Sequence, residues 1–164
     1  MKILVLSDSH AFRSYMRLCV EKMKPDAVIH LGDHYVDGEV LAEEFPQIPM
    51  YQVPGNCDEH RGFIRDPEVR VEKICGVWFY LTHGHRHRVK TGLYSLLADA
   101  RAAKVQAVLY GHTHSADCHR EEDGLWVLNP GSCGYYGGSA GLIQVEQGQI
   151  LSCRVLRSED FKCL

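Results

Sequence analysis

Seven side chains with metal-binding chemistry stand at the ends of short apolar runs. Asp8 and His10 follow Ile3 to Leu6, Asp33 follows Ala27 to Leu31, and Asn56 follows Met50 to Val53. His83 follows Val77 to Leu81, and His112 with His114 follow Ala107 to Tyr110. Two carboxylates, one carboxamide oxygen and four imidazoles form an oxygen and nitrogen donor set without a thiolate. Such a set is too rich in imidazole for calcium or magnesium alone and suits Mn2+, Ni2+, Fe2+, Co2+ or Zn2+. Seven donors exceed one tetrahedral site. With one carboxylate shared they divide into two four-donor sets, which fits two ions about 3.5 to 4 Å apart.

The elements that must carry these residues follow from pattern. Short β-branched runs alternate with helical periods through the first two thirds of the chain, an α/β signature. Strands are predicted over 3–6, 27–31, 50–53 and 107–110, with a hairpin of 69–74 and 77–81 around Gly76. A helix capped near Ser14 carries Met16, Cys19, Val20 and Met23 on one face and stops at Pro25. Further helices are expected over 37–45, closed by Pro46, and over 92–103, with Leu93, Leu96, Leu97 and Ala100 as its apolar stripe. The last third lacks helices. Strands at 125–128, 140–146 and 149–156 joined by turns such as Gln147-Gly148 predict a second sheet. In open α/β sheets ligands bind beyond the carboxyl ends of the strands, so five segments deliver their donors to one edge. Gly32, Gly55, Gly84 and Gly111 predict sharp turns there with room for ions and substrate.

Composition bounds the function. The 164 residues, 45% hydrophobic and 24% charged, suit one globular domain spanning 1–164 and exclude a disordered chain. A net charge of −3 without long charge runs disfavours generic nucleic-acid or anionic-membrane binding, so an anionic substrate needs a local cationic attraction. Seven cysteines, odd in number and without a C-x-x-C pair, read as reduced, mostly buried small side chains. With four apolar residues before Asp8 and no run near about 18, neither a secretory segment nor a membrane span is expected, which points to the cytoplasm.

The blocks Asp8-Ser9-His10, Gly32-Asp33, Gly55-Asn56-Cys57-Asp58, His83-Gly84-His85 and Gly111-His112-Thr113-His114 together resemble the calcineurin-like metallophosphoesterases. The resemblance runs along the whole chain in order and spacing. It is greatest to the small single-domain bacterial and archaeal phosphodiesterases, which share the Asn129-Pro130-Gly131-Ser132 segment. It implies an α/β fold, a two-sheet α/β/β/α sandwich, and a metal-dependent phosphodiesterase with a small phosphodiester substrate. It also implies that Asp8, His10, Asp33 and His114 hold one divalent ion and that Asp33, Asn56, His83 and His112 hold a second. Asp33 would bridge, and a hydroxide shared by the ions, Mn2+ foremost, would attack phosphorus in line. Asp33, Asn56, His83 and His85 are the catalytic set implied, with His85 contacting substrate phosphate or supporting a ligand. A homodimer or higher oligomer is common among small members.

One position departs from the family pattern. Many members carry a His after the Asn of the Gly-Asn block as an aid to the leaving group, where this chain has Cys57. A thiol with its usual pKa of about 8.5 is a poor substitute for imidazolium, which favours diesters with good leaving groups over monoesters. The alternatives are a phosphomonoesterase of the same fold, or a catalytically weak interaction scaffold like the retromer subunit built on it. A scaffold can lose ligands without penalty, whereas here every expected position is filled.

Other readings are plainer. Taken singly, Asp8, Asp33 and Asn56 fit turns or caps. Asp58 orients the Asn56 loop or closes an Asx-turn. His34, His60, His87 and His119 read as surface residues, Arg86 and Arg88 as candidate phosphate contacts, and the Asn129 segment as a strand-ending turn. No Arg stands six positions after Cys57 or Cys133, as a cysteine phosphatase requires. Phosphate-loop, dinucleotide and zincin motifs are absent.

Overall fold

A computed structural model describes residues 1–58, 66–134 and 137–161. The chain order is β1 (Lys2–Leu6), α1 (Arg13–Met23), β2 (Ala27–His30), α2 (Tyr35–Glu44), β3 (Met50–Gln52), β4 (Val69–Ile74) and β5 (Val77–Thr82). Then come α3 (Tyr94–Ala102), β6 (Ala107–Leu109), β7 (Asp117–Arg120), β8 (Trp126–Asn129), β9 (Ser139–Glu146) and β10 (Gln149–Arg157), before a short 3-10 turn at Ser158–Phe161. Two five-stranded sheets form, in the orders β10-β9-β1-β2-β3 and β4-β5-β6-β8-β7. This is the expected α/β/β/α sandwich.

The runs that read as continuously apolar do so because both faces are covered. On β1, Ile3 and Val5 face the second sheet, meeting Phe79, Leu81, Leu109 and Leu128 in the central core. Leu4 and Leu6 face the other way, onto Met16, Cys19, Val20 and Met23 of α1. Those four helix residues are the stripe expected from sequence, and each fully buried aliphatic contributes on the order of 2 kcal/mol. Leu96 and Ala100 of α3 cover Tyr80, Val108 and Val127 on the outer face of the second sheet.

Several boundaries differ from expectation. Ser14 does not cap α1: the N-cap is Phe12, without a side-chain cap bond. Helix α2 begins at Tyr35, two residues early, because Asp58 receives the backbone N–H groups of His34 and Tyr35 at 3.1 and 2.9 Å. Strand β7 has no apolar run to announce it. It is a polar edge strand pairing antiparallel with β8, and its Cys118 packs against the central core. The cysteines are less buried than expected, since Cys19 and Cys133 are buried, Cys118 and Cys153 partly so, and Cys57 and Cys75 exposed. Cys163 and His60 lie outside the described residues.

Candidate metal centre

Parallel pairing aligns the strand ends. Strands β1, β2 and β3 run parallel in one sheet and β5, β6 and β8 in the other. Their carboxyl ends meet at one edge, where the loop after each turns abruptly. Five of the seven expected ligands hold left-handed backbone: Asp8, His10, Asp33, His112 and His114 have φ between 45° and 68°. Such conformations are uncommon for residues with a Cβ and concentrate at functional sites. The packing leaves no slack. A methyl on Gly111 would overlap the Ser7 hydroxyl, and one on Gly55 would overlap Asp33 Oδ1.

Asp8, fully buried, accepts from the Ser7 hydroxyl at 2.6 Å and from the His112 N–H at 3.1 Å through Oδ2. Its Oδ1 makes no aligned hydrogen bond and lies 3.1 Å from His114 Nε2. Asp33 Oδ1 accepts the Cys57 N–H at 2.9 Å and lies 3.4 Å from His83 Nε2, while Oδ2 is 3.9 Å from His10 Nε2. His10 and His114 bring their Nε2 atoms within 3.3 Å. Ligand atoms of Asp8, His10, Asp33 and His114 all lie within 4.8 Å of one another. That cluster is the first ion's set implied by the resemblance.

Beside it, Asn56 and His83 of the second implied set meet Asp33, and His112 approaches His83 by its ring. His83 Nδ1 lies 2.7 Å from the Leu31 carbonyl, which only accepts, so Nδ1 carries a proton and donates. In the neutral ring Nε2 is then a lone pair, yet it faces two acceptors, Asn56 Oδ1 at 3.2 Å and Asp33 Oδ1 at 3.4 Å. Converging lone pairs repel unless a proton or a cation lies among them. The His112 ring centroid is 5.1 Å from that of His83, and the His85 centroid 5.5 Å. The buried Oδ1 of Asp8 and this convergence fit divalent cations held by oxygen and nitrogen.

The electrostatics agree. Burial opposes ionisation of Asp8 and Asp33, but contacts with His114 and His83 prevail and hold both carboxyls below their usual range. Burial likewise opposes charge on His83, yet Asp33 and Asp8 raise its pKa, and the Asp8 contact chiefly raises that of His114. Burial lowers His10 and, together with His83 and Lys90, brings His112 down to about 4. Asp8 and Asp33 are thus held anionic and His10 and His112 neutral, while His83 and His114 keep a proton more readily beside the two carboxylates.

A ring of supporting residues surrounds the ligands; Asp58 and the Asn129 segment stand out in the sequence, whereas the roles of Ser9, Asp37 and His30 do not. Ser9 Oγ donates to Asp37 Oδ2 at 2.8 Å, and the same oxygen receives the Ala11 N–H at 2.8 Å, tying the Asp8 loop to α2. Buried His30, its pKa pushed down to about 4 by desolvation, lies 3.3 Å from Ser9 Oγ. Asn129 Nδ2 donates to the Gly111 carbonyl and to Thr113 Oγ1, and Ser132 donates to the Asp8 carbonyl at 2.8 Å. The Asn129 segment therefore braces two ligand loops. Asp58 both closes its own turn, accepting the Gly55 N–H at 2.9 Å, and caps α2.

Two histidine readings need correction. His87 is buried, within 3.2 Å of both the Tyr80 hydroxyl and Asp99. His34 is partly buried, 6.3 Å from the His10 ring, rather than a plain surface residue. His119 is partly exposed, as a surface residue should be, and is held between Asp117 and Glu121. Arg86, exposed, forms a two-point ion pair with Glu68 at 3.0 and 3.1 Å, and Arg88 is exposed with φ 53°.

Comparison with known proteins decides the family. The calcineurin-like phosphoesterase superfamily domain matches residues 1–148. The chain belongs to that superfamily. A phosphodiesterase of Methanocaldococcus jannaschii is 30% identical over 170 aligned positions, covering 90% of this chain and 95% of its own. Among solved structures, a conserved Streptococcus pneumoniae protein described as a predicted phosphoesterase superposes with a TM-score of 0.74 at 23% identity, covering 96% of this chain and 90% of its own. Wild-type Vps29 of Entamoeba histolytica complexed with zinc superposes at 0.70 and 21% identity, covering 96% and 99%. These two likenesses show a shared phosphoesterase fold.

Proposed function

We propose that the protein is a phosphodiesterase that uses two divalent cations, one between Asp8, His10, Asp33 and His114 and one between Asp33, Asn56, His83 and His112. The observation that carries this reading is the convergence of ligand atoms on one strand-end edge, led by the buried Asp8 Oδ1, 3.1 Å from His114 Nε2, and by the lone pair of His83. When bound, the cations supply a water of lowered pKa for in-line attack and neutralise charge at the phosphorus. The protein's own part is positional. Asp33 lies between the two ligand groups, His83 is locked by the Leu31 carbonyl, and Asp8 is anchored by Ser7 and by the His112 amide. His85 lies next to His83 and His112, where it can donate to a substrate phosphoryl oxygen.

Cys57 supports a diester substrate. Its thiol lies 3.2 Å from Asp33 Oδ2, with a pKa pushed up to about 11 by burial and by that carboxylate, so it donates a proton poorly to a departing oxygen. A small diester in the cytoplasm, rather than a nucleic-acid polymer, suits the net charge of −3. No helix among the described residues is long and apolar enough to cross a membrane.

The test is hydrolysis of a chromogenic phosphodiester and its matching monoester by chelator-stripped protein, before and after adding Mn2+, then Ni2+, Fe2+, Co2+ or Zn2+. Metal-restored diester cleavage is expected, reduced at least about 100-fold in Asp33→Asn because both ligand groups lose a shared charge. Wild-type activity in that variant refutes the shared carboxylate. Folded protein without turnover in any of the five ions refutes the enzyme and favours the scaffold.

A further inference from the structure

Two thiols outside the metal centre meet across the sandwich. Cys118 lies on β7, the edge of one sheet, and Cys153 on β10, the edge of the other, and these two strands run against each other. Both side chains pack on the central core while remaining partly accessible, and both are free thiols. Cys118 Sγ is 3.3 Å from the Cys153 carbonyl oxygen. The adjacent strands place them by register, Cys118 opposite Leu128 and Cys153 opposite Ile143. We propose that Cys118 and Cys153 are a reversible redox pair, closing to a disulfide that staples the two sheets when the protein meets a peroxide.

The environment sets the order of events. The neighbouring Cys153 side chain lowers the pKa of Cys118, while Cys118 and burial raise that of Cys153, so Cys118 is the thiol that ionises first. Burial raises Cys19 and Cys133, which leaves those thiols slower to react. The Cys118 thiolate attacks one peroxide oxygen, the O–O bond breaks, and hydroxide leaves to become water, giving a sulfenic acid. The Cys153 sulfur then attacks Cys118 Sγ, forming the S–S bond and releasing the sulfenic oxygen as a second water. Two thiols are oxidised by two electrons and one peroxide is reduced to two waters. The reducing pool of the compartment reverses the step.

The link has a mechanical consequence. It closes a 35-residue separation, restricting the unfolded chain, and holds the end of β7 that follows the His112 and His114 loop. The melting temperature is expected to rise by ~5–10 °C on closure. None of this rests on the phosphodiesterase reading, and the test involves neither metal nor turnover.

The experiment treats the reduced protein with a small excess of hydrogen peroxide, then measures intact mass, free thiols, melting temperature and a non-reducing peptide map. Expected are loss of two thiols and two hydrogen masses from the monomer, a peptide pair joining Cys118 to Cys153, and a raised melting temperature reversed by dithiothreitol. Cys118→Ser and Cys153→Ala each abolish the link and the temperature shift. A sulfinic acid on Cys118 without a link, a disulfide between other cysteines, or no thiol loss overturns the proposal, and the wild-type mass and map decide it even if a variant folds poorly.

Discussion

Asp33 and His83 show how far single side chains determine this site. Asp33 reaches toward His10 with one oxygen and His83 with the other, so one carboxylate spans both ligand groups. His83 spends its Nδ1 proton on the Leu31 carbonyl and turns Nε2 inward, as metal-binding histidines do when a neighbour fixes the tautomer. In the proposed phosphodiesterase, Cys57 stands beside Asp33, 3.2 Å from its Oδ2, where the family resemblance places a leaving-group imidazole. In Cys57→His, the ratio of monoester to diester kcat/KM is expected to rise about tenfold or more, because a proton donor replaces a thiol that stays protonated. Steady-state kinetics with paired chromogenic esters check this, and an unchanged ratio removes Cys57 as the determinant.

At the scale of elements, ligand loops are stiff because neighbours supply what local sequence lacks. Helix α2 has no cap of its own side chain, and Asp58 reaches across from the β3 loop to receive the N–H groups of His34 and Tyr35. The same carboxylate holds Gly55, one residue before Asn56. Asp58→Ala is expected to cost about 1–2 kcal/mol, from a lost cap and a buried N–H left unpaired. It should also weaken metal affinity by ~10-fold, since Asn56 loses its support. Urea unfolding and metal titration separate the two effects. Retained stability and affinity would show that water replaces the carboxylate.

For the whole molecule, the charge pattern links pH, metal and stability. Asp8 and Asp33 have depressed folded pKa values, so their contribution is present above the unfolded value of about 4 and is lost as pH falls through the folded ones. His83 and His114 have raised values, so theirs is present below about 6.5 and is lost as pH rises through the folded ones. The metal-free protein is therefore most stabilised by these groups between about pH 4 and 6.5. Metal needs the imidazoles deprotonated, so binding releases protons and weakens as pH falls below about 7. Thermal melts across pH with and without Mn2+ are expected to diverge above pH 7, by about 2.7 kcal/mol at a hundredfold excess over Kd. Parallel curves would show that these histidines hold no ion.

Much was legible along the chain because it is written in local patterns. The period-two and period-3.6 runs disclosed nearly every element of the sandwich, and the donors at successive strand ends disclosed the centre. Chain order alone could place them there because a parallel strand ends at the same edge as its neighbour. Strand β7 escaped, since Asp117-Cys118-His119-Arg120 has no apolar run and becomes a strand only by pairing with β8. The supporting roles of Ser9 and Asp37, and the partners of the Asn129 and Ser132 already singled out, escaped for a related reason. Their roles are hydrogen bonds to residues as far as 124 positions away, and only the folded sheets bring those partners together. Residue type and spacing determined which groups could bind a metal. The meeting of two sheets decided which were buried, which were held rigid, and which, like Arg86 with Glu68, were drawn into another pair.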